Sequence, residues 1–181
     1  EAGRLERQAI YWVDPVASVA RPDGYRVSGL VDLLAIDGER LLALERAYVP
    51  GIGNRIRLYY VSLADAEDLP AEGPVEPGSI VPARKSLLAE IDTFGLVLDN
   101  LEGMTFGPTL ADGRRTLLVV SDDNFNPVRQ TTQFLAFALD AGRPAAWTPL
   151  VEARIPAIQG ADHRSPLVGH WAREVPGVVV A

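Results

Sequence analysis

The stretch LVDLLAIDGERLLALERAYVPGIGNRIRLYYVSL, residues 30–63, contains short apolar runs separated by turn residues. The stretch LEGMTFGPTLADGRRTLLVVSDDNFNPVRQTTQFLAFAL, residues 101–139, repeats the same order. In each copy Asp-Gly follows the first run, and this dipeptide favours a tight turn between two strands. Between Leu41 and Leu63 the copies align at a constant offset of 76 residues, so that Leu41 matches Leu117. The chain therefore contains at least two copies of one strand-rich unit.

A fourth apolar run follows each copy, PARKSLLAEI at 82–91 and TPLVEARI at 148–155. The run RQAIYWV at 7–13 resembles the fourth strand of a preceding unit. Units of four antiparallel strands joined by tight turns are typical of β-propeller blades. The sequence thus predicts an all-β protein with about two four-stranded propeller blades and part of a third. The predicted strands cover residues 8–13, 28–36, 40–48, 55–63, 83–91, 101–107, 116–122, 133–139 and 148–155.

Closed propellers have at least four blades, so we expect a portion of a larger propeller. Either N-terminal blades are missing from this stretch, or two copies associate. The propeller portion is predicted to cover residues 1–155, with an acidic, solvated insertion at 64–79. Residues 156–181 are predicted to form an irregular tail with one further strand at 175–180.

Charge and composition limit the partners. The formal net charge is −7, which disfavours nucleic acid because an acidic protein does not attract phosphate backbones. The sequence has no cysteine, so disulfides and cysteine-bound metals are excluded. No apolar run reaches the roughly 20 residues of a transmembrane helix. The first residues, EAGRLERQ, lack the apolar core of a signal peptide.

Three polar clusters stand at predicted strand ends: DNLEG at 99–103, SDDNFN at 121–126, and Glu45-Arg46 with Asn54, Arg55 and Arg57 close behind. Strand ends of a propeller face the mouths of its central channel. The spacing Asp122-x-Asn124-x-Asn126 resembles the start of a calcium-binding EF-hand loop. The residues that follow depart from that loop, since the central Gly and the final Glu are absent. The oxygens of this cluster therefore serve either as hard metal ligands or as caps of a tight turn.

Glu102 and Arg46 are also open to two interpretations. A carboxylate between apolar strand neighbours, as at Glu102, lies either on a solvated face or in a polar channel. An arginine at a strand end, as at Arg46, either holds an anionic oxygen pair or forms an ion pair with a neighbouring carboxylate.

Taken together, the runs GLVDLLAIDGERLLALER, GNRIRLYYVSL, LDNLEGMTFGPTLADGRRTLLVVSDDNFN and QTTQFLAFAL resemble the phytase-like family, also described as having the esterase-like activity of phytase. The resemblance covers residues 8–139 and implies a bacterial, exported β-propeller that hydrolyses phosphoesters. It implies catalytic roles for Glu102, Asp99 and Glu45. It implies substrate binding by Arg46, Arg55 and Asn100, and metal binding by Asp122, Asp123 and Asn124.

The function predicted from this resemblance is calcium-assisted hydrolysis of a small phosphoester or phosphodiester. Carboxylates alone would repel such an anion, whereas carboxylates that gather Ca²⁺ would reverse the local field. Glu102, Asp99 and Asp122 would then meet at one channel mouth and share the ion. Two other functions stay open: a non-catalytic propeller that binds a partner and holds structural calcium, and a propeller esterase or lactonase acting on carboxyl esters.

Overall fold

The computed structural model describes residues 6–16, 27–70, 72–73, 78, 80–126, 128–139, 147–155 and 170–174. Within these residues the backbone forms nine β-strands and one short 3₁₀ helix, Ile91–Phe94. The all-β prediction with low helix content is confirmed. Over the same residues, no helix has the length and apolar character needed to cross a membrane.

The strands form two antiparallel sheets in which each strand pairs with the next along the chain. The first sheet contains β1 (Val27–Ala35), β2 (Arg40–Val49), β3 (Gly53–Ser62) and β4 (Arg84–Glu90). The second contains β5 (Leu101–Thr109), β6 (Arg115–Ser121), β7 (Thr132–Leu139), β8 (Trp147–Ile155) and β9 (His170–Glu174). The predicted order of two consecutive meanders is present.

Both Asp-Gly turns are fixed by their aspartate side chains. Asp37 Oδ1 accepts the backbone N–H groups of Glu39 at 3.0 Å and Arg40 at 2.9 Å. Asp112 Oδ1 accepts the N–H of Arg114 at 3.1 Å in the equivalent turn. An aspartate that satisfies turn amides stabilises a tight connection, which explains why the same dipeptide joins the first two strands of each sheet.

One apolar core lies between the two sheets. The face that the first sheet turns to this core does not correspond, in the sequence repeat, to the face that the second sheet turns to it. The first sheet contributes Leu42 and the second contributes Leu117, both almost fully buried. At the 76-residue offset Leu117 corresponds to Leu41, which neighbours Leu42 on the opposite face of β2. The buried residues of this core are Leu42, Leu44, Ile56, Leu58, Ile91, Leu101, Met104, Leu117, Val119, Leu135 and Phe137.

Stacking of unlike faces leaves one face of the second sheet partly open. Leu118 and Phe134 are 36% and 41% exposed, whereas their counterparts in the first sheet, Leu42 and Leu58, are 3% and 0% exposed. Consecutive blades of a propeller stack in this head-to-tail manner. The described residues form two sheets and no closed ring, so the propeller stays a prediction.

The opposite face of the first sheet packs under the N-terminal segment, residues 6–16. Tyr59 and Val61 are buried there together with Ala83, and Tyr11 packs against them. Residues 8–13 do not form the predicted strand: the backbone oxygen of Ile10 accepts the N–H of Ala83 at 2.8 Å, in the connection before β4. The segment is thus bonded to a loop rather than to a neighbouring strand.

The C-terminal region contains more sheet than the sequence indicates. The predicted strand at 148–155 is confirmed as β8. Part of the predicted irregular tail forms β9, which pairs antiparallel with β8 through Arg154 and His170. The predicted strand at 175–180 lies outside the described residues.

Two neighbouring residues of β7, Leu135 and Phe134, test whether the two faces of the second sheet are packed differently. Leu135 is 1% exposed in the core between the sheets, and Phe134 points to the open face. We expect Leu135→Ala to lower the free energy of unfolding by about 3 kcal/mol, because it leaves a cavity in a close-packed core. Phe134→Ala should cost no more than about 1 kcal/mol. Guanidinium denaturation of both variants measures the difference, and equal losses would show that the two faces are buried alike.

Candidate functional site

An open cleft of about 610 Å³ lies at the end of the two sheets where β2 turns into β3 and β6 turns into β7. Its walls carry amide, guanidinium and carboxylate groups from both sheets. The lining residues are Val27, Arg46, Tyr48, Asn54, Val97, Leu98, Asp99, Asn100, Glu102, Asn124, Asn126, Arg129 and Gln130. The cleft therefore unites five of the predicted site residues: Arg46, Asp99, Asn100, Glu102 and Asn124.

Glu102 is held by two side chains at the wall of the cleft. Its Oε1 atom accepts a hydrogen bond from Arg46 Nη2 at 2.9 Å and another from Asn100 Nδ2 at 2.8 Å. Its Oε2 atom has no hydrogen-bond partner among the described residues. The side chain is 33% exposed. One oxygen is thus anchored and the other is available to a ligand or a water molecule.

A β-bulge places Glu102 in this position. The register between β5 and β6 passes from Leu101 opposite Ser121 to Gly103 opposite Val120, so Glu102 is the extra residue. Bulges turn a side chain away from the regular alternation of a strand. The sequence placed Glu102 either on a solvated face or in a polar channel. The structure is closer to the second interpretation, because the side chain lines a polar cleft.

A contact between the sheets supports the bulge. Asp32 on β1 accepts the backbone N–H of Met104 at 2.6 Å through its Oδ2 atom. Asp32 itself follows a bulge in β1, where the register passes from Leu30 opposite Glu45 to Asp32 opposite Leu44. This bond ties β5 to the first sheet two residues after Glu102.

Arg46 reaches Glu102 across the gap between the sheets. Its side chain is only 18% exposed, and its Nε atom is buried without a hydrogen-bond partner in the described part of the chain. A buried guanidinium N–H that lacks a partner is costly. Arg46 therefore carries one buried, unsatisfied donor in addition to its ion pair with Glu102.

Asp99 shapes the cleft rather than presenting a free carboxylate. Its Oδ1 atom accepts the N–H of Asn100 at 2.8 Å, and its Oδ2 atom accepts the N–H of Thr131 at 2.5 Å. Gln133 Oε1 accepts the N–H of Asp99 at 3.2 Å. These bonds fix the start of β5 against the end of the 122–131 loop.

The carboxylates of Asp122 and Asp123 build the turn of that loop. Asp122 Oδ1 accepts the N–H of Asn124 at 2.9 Å, and Asp123 Oδ1 accepts the N–H of Phe125 at 2.9 Å. The sequence allowed the oxygens of this cluster to act either as metal ligands or as caps of a tight turn. The hydrogen bonds present are those of a capped turn. Asn124 alone of the three predicted metal ligands lines the cleft.

These carboxylates do not fit a shared calcium ion in this arrangement. Across the described ranges, no group of three or more His, Cys, Asp or Glu side chains is placed to hold a metal. Calcium needs six to eight oxygen ligands, and the oxygens of Asp99 are occupied by backbone N–H groups. Calcium binding stays a prediction of the resemblance.

Glu45 lies on the other face of β2 from Arg46 and is 3% exposed. Its Oε1 atom accepts hydrogen bonds from Tyr11 Oη and Lys85 Nζ, each at 2.6 Å, and its Oε2 atom accepts the N–H of Asp14 at 3.1 Å. Neighbouring residues of a strand point to opposite faces, so Glu45 and Arg46 cannot serve one site. The structure separates Glu45 from the other predicted catalytic residues.

The group around Glu45 forms a second polar cluster, which we call the Lys85 cluster: Tyr11, Asp14, Glu45, Tyr59 and Lys85. Lys85 Nζ lies 2.6 Å from Asp14 Oδ1 and 4.2 Å from the centre of the Tyr59 ring. The hydrogen bond from Lys85, followed by that from Tyr59, holds the pKa of Asp14 below its usual range. Burial, together with the bond to Glu45, raises the pKa of the Tyr11 hydroxyl above its usual range.

Arg55 also lies outside the large cleft. Its Nη1 atom pairs with Asp92 Oδ2 at 2.5 Å. With Glu45 and Arg57 it lines a cavity of only about 20 Å³ on the face of β2 that carries Glu45. That volume holds about one water molecule, so this cavity is too small for an ester, and substrate binding by Arg55 stays a prediction.

Comparison with known families agrees with this arrangement of motifs. A family model described as phytase-like, with the esterase-like activity of phytase, matches residues 1–125. The chain belongs to the phytase-like family. No curated protein and no solved structure matches it. Membership indicates a phytase-like, esterase-like hydrolase, and the match contains both Glu102 and Arg46.

The cleft of this phytase-like chain contains residues that sequence reasoning missed. Tyr48 lies two positions after Arg46 on the same face of β2, so strand alternation could have found it. Asn54, which belongs to the third polar cluster of the sequence, pairs with Tyr48 in the register of β2 and β3. No sequence pattern indicates that Arg129 lines the cleft, because its position depends on the path of the 122–131 loop.

Removing the cation of the Lys85 cluster should destabilise the phytase-like chain. Lys85→Met leaves Glu45, 3% exposed, without its positive partner, and breaking a buried pair in this way costs about 3 kcal/mol. The adjacent Arg84 forms an exposed pair with Asp65, so Arg84→Met should cost less than about 1 kcal/mol. Urea denaturation of the two variants makes the comparison. Similar losses would mean that the cluster contributes no more than a surface pair.

The lowered pKa of Asp14 should make part of the free energy of unfolding depend on pH in the acid range. Because its pKa is lowered in the folded chain, its stabilising contribution is present above the unfolded value of about 3.9 and is lost as the pH falls through the folded value. We expect Asp14→Asn to lower stability at neutral pH and to flatten its decline below about pH 4. Thermal unfolding as a function of pH measures both effects; parallel curves for wild type and variant would contradict the assignment.

Proposed function

We propose that this chain hydrolyses phosphoesters or phosphodiesters in the cleft, with Glu102 as the general base. The observation that carries the proposal is the state of the Glu102 carboxylate, with Oε1 held by Arg46 and Asn100 and Oε2 unpaired within the described residues. A general base needs a fixed orientation and a free lone pair within reach of the nucleophile. Family membership supports the hydrolytic class.

The two guanidinium groups of the cleft balance its two carboxylates, Asp99 and Glu102, so the cleft is less acidic than the chain, whose formal net charge is −7. Arg46 and Arg129 both line it, and Arg129 makes no ion pair with any described residue. Guanidinium groups bind phosphate oxygens in pairs. Amide groups of Asn54, Asn100 and Asn124 add hydrogen-bond donors around them. A phosphoryl group in this cleft meets positive charge and donors on several sides.

The proposed step is attack by water. Glu102 Oε2 takes a proton from a water molecule as the water oxygen bonds to phosphorus, and the bond from phosphorus to the leaving oxygen breaks. The leaving oxygen takes a proton from solvent. Arg46 offsets charge on the phosphoryl oxygens as it develops. Asn100 and Arg46 prevent Glu102 from rotating out of line, and no nucleophilic serine or histidine is required.

Calcium and the wider architecture extend the proposal. A Ca²⁺ ion would reduce the charge of the phosphoryl group, and we derive no step through it because the described carboxylates do not form a ligand set. The head-to-tail stacking of the two sheets supports a larger β-propeller, in which Leu118 and Phe134 would be covered by a further blade. Export from a bacterial cell is proposed from the resemblance alone.

A matched pair of glutamates tests the general base. Glu102→Gln keeps the shape of the side chain but removes its basicity, so we expect kcat/KM for bis-p-nitrophenyl phosphate to fall by about 100-fold. Glu90 also pairs with an arginine, Arg57, but lies outside the cleft. Glu90→Gln should leave kcat/KM unchanged within about twofold.

The assays use the full-length protein, and circular dichroism verifies that both variants are folded. Full activity in Glu102→Gln would remove the general-base role. Hydrolysis of p-nitrophenyl acetate without hydrolysis of the phosphodiester would favour the carboxyl-esterase function instead. Titration calorimetry with Ca²⁺ on the same samples tests whether the protein binds the ion.

A further inference from the structure

The tip of the 122–131 loop carries an aromatic side chain that contributes nothing to the fold. Phe125 is 99% exposed. Asn126 donates its backbone N–H to the oxygen of Asp123 at 2.8 Å, which closes a four-residue turn with Asn124 and Phe125 at its centre. Their φ angles are 50° and 55°. Two successive positive φ angles define a type I′ turn, whose second central position favours glycine.

Phenylalanine is therefore an unfavourable choice for this turn. A bulky residue with positive φ is strained because its Cβ lies close to the following carbonyl oxygen. Burial does not compensate for this, since the side chain is 99% exposed. Strained positions of this kind cluster at ligand sites. Contact with a ligand would offset the strain.

The loop that carries Phe125 also forms a wall of the cleft. Asn124 and Asn126, the residues on either side of Phe125, line the cleft. Asn124 Nδ2 donates a hydrogen bond to Gln130 Oε1 at 3.2 Å across the loop, and Gln130 lines the cleft as well. The loop is thus cross-linked, and Phe125 lies in sequence between two residues that line the polar site.

A second apolar side chain accompanies the ring. Val128 is 86% exposed on the same loop, next to the cleft-lining Arg129. Tyr48, which lines the cleft, is 38% exposed. Charged and amide groups inside a cleft, with exposed apolar side chains on one of its loops, match a ligand that combines an anionic group with an apolar substituent.

We propose that the substrate of this chain is an ester whose phosphoryl group carries an aryl or alkyl substituent, and that Phe125 is the residue that contacts this substituent. The proposal rests on the proposed function and specifies its substrate class. It sets the substrate apart from a fully hydrophilic polyphosphate ester, which would gain nothing from an exposed ring. Aromatic rings gain from stacking on another ring in addition to the area they bury.

The test measures binding separately from turnover. Phenylphosphonate and methylphosphonate carry the same anionic group, cannot be hydrolysed as esters, and differ only in the apolar substituent. We expect the full-length protein to bind phenylphosphonate about tenfold more tightly. Phe125→Gly should reduce this ratio to less than about twofold, and it should not impair folding because glycine suits the turn. Phe125→Leu should keep part of the preference.

Leu87 provides the control. It is 49% exposed on β4, none of whose residues lines the cleft, whereas the loop of Phe125 contributes several lining residues. Leu87→Ala should leave the tenfold ratio unchanged. A ratio near one in the wild type, a ratio that survives Phe125→Gly, or no measurable binding of either phosphonate would each overturn the substrate class.

Turnover distinguishes this inference from the proposed function. Phenyl p-nitrophenyl phosphate and methyl p-nitrophenyl phosphate share a leaving group, so their relative kcat/KM reports the substituent alone. If neither is hydrolysed while the phosphonate ratio depends on Phe125, the hydrolase proposal fails and the contact of Phe125 stands. If both are hydrolysed at equal rates, the hydrolase proposal stands and the apolar contact fails.

Discussion

The alternation of side chains along β2 is the constraint on which the rest of the structure depends. Leu42, Leu44 and Arg46 point toward the second sheet, and Ala43 and Glu45 point toward the N-terminal segment. The first set closes the core between the sheets and ends in the arginine that holds Glu102. The second set ends in a carboxylate bound to Tyr11 and Lys85. A shift of one residue in register would exchange the two sets and destroy both the core and the cleft.

Several acidic residues of the chain accept hydrogen bonds from backbone N–H groups and so stabilise the fold. Asp37 and Asp112 close equivalent turns, Asp32 bonds β5 to the first sheet, and Asp99 fixes the start of β5. A carboxylate that accepts backbone N–H groups satisfies donors that a sheet leaves unpaired at its ends. One acidic side chain in the cleft, Glu102, keeps an oxygen free of such bonds within the described residues. With these carboxylates bound to the backbone, the guanidinium groups of the cleft can bind an anion although the chain as a whole is acidic.

The two polar clusters have different physical roles. In the Lys85 cluster one ammonium group offsets the buried carboxylate of Glu45 and that of Asp14, and it packs against two tyrosine rings. That arrangement attaches the N-terminal segment to the first sheet. The cleft at the end of the sheets has an open volume of about 610 Å³ and is lined by guanidinium and amide groups. We therefore assign the proposed hydrolysis to the cleft.

The sequence by itself determined the strand-rich class, the two Asp-Gly turns, the order of the meanders and the motifs that line the cleft. These features are local: turn residues and apolar runs act over a few positions, so they can be read without knowing what lies opposite. Only the tertiary structure decided that Arg46 reaches Glu102 and that Tyr11 and Asp14 join Lys85. Those outcomes depend on strand register, on the bulge at Glu102 and on the way the sheets stack. Each joins residues that are far apart in the chain, and no local pattern encodes such contacts.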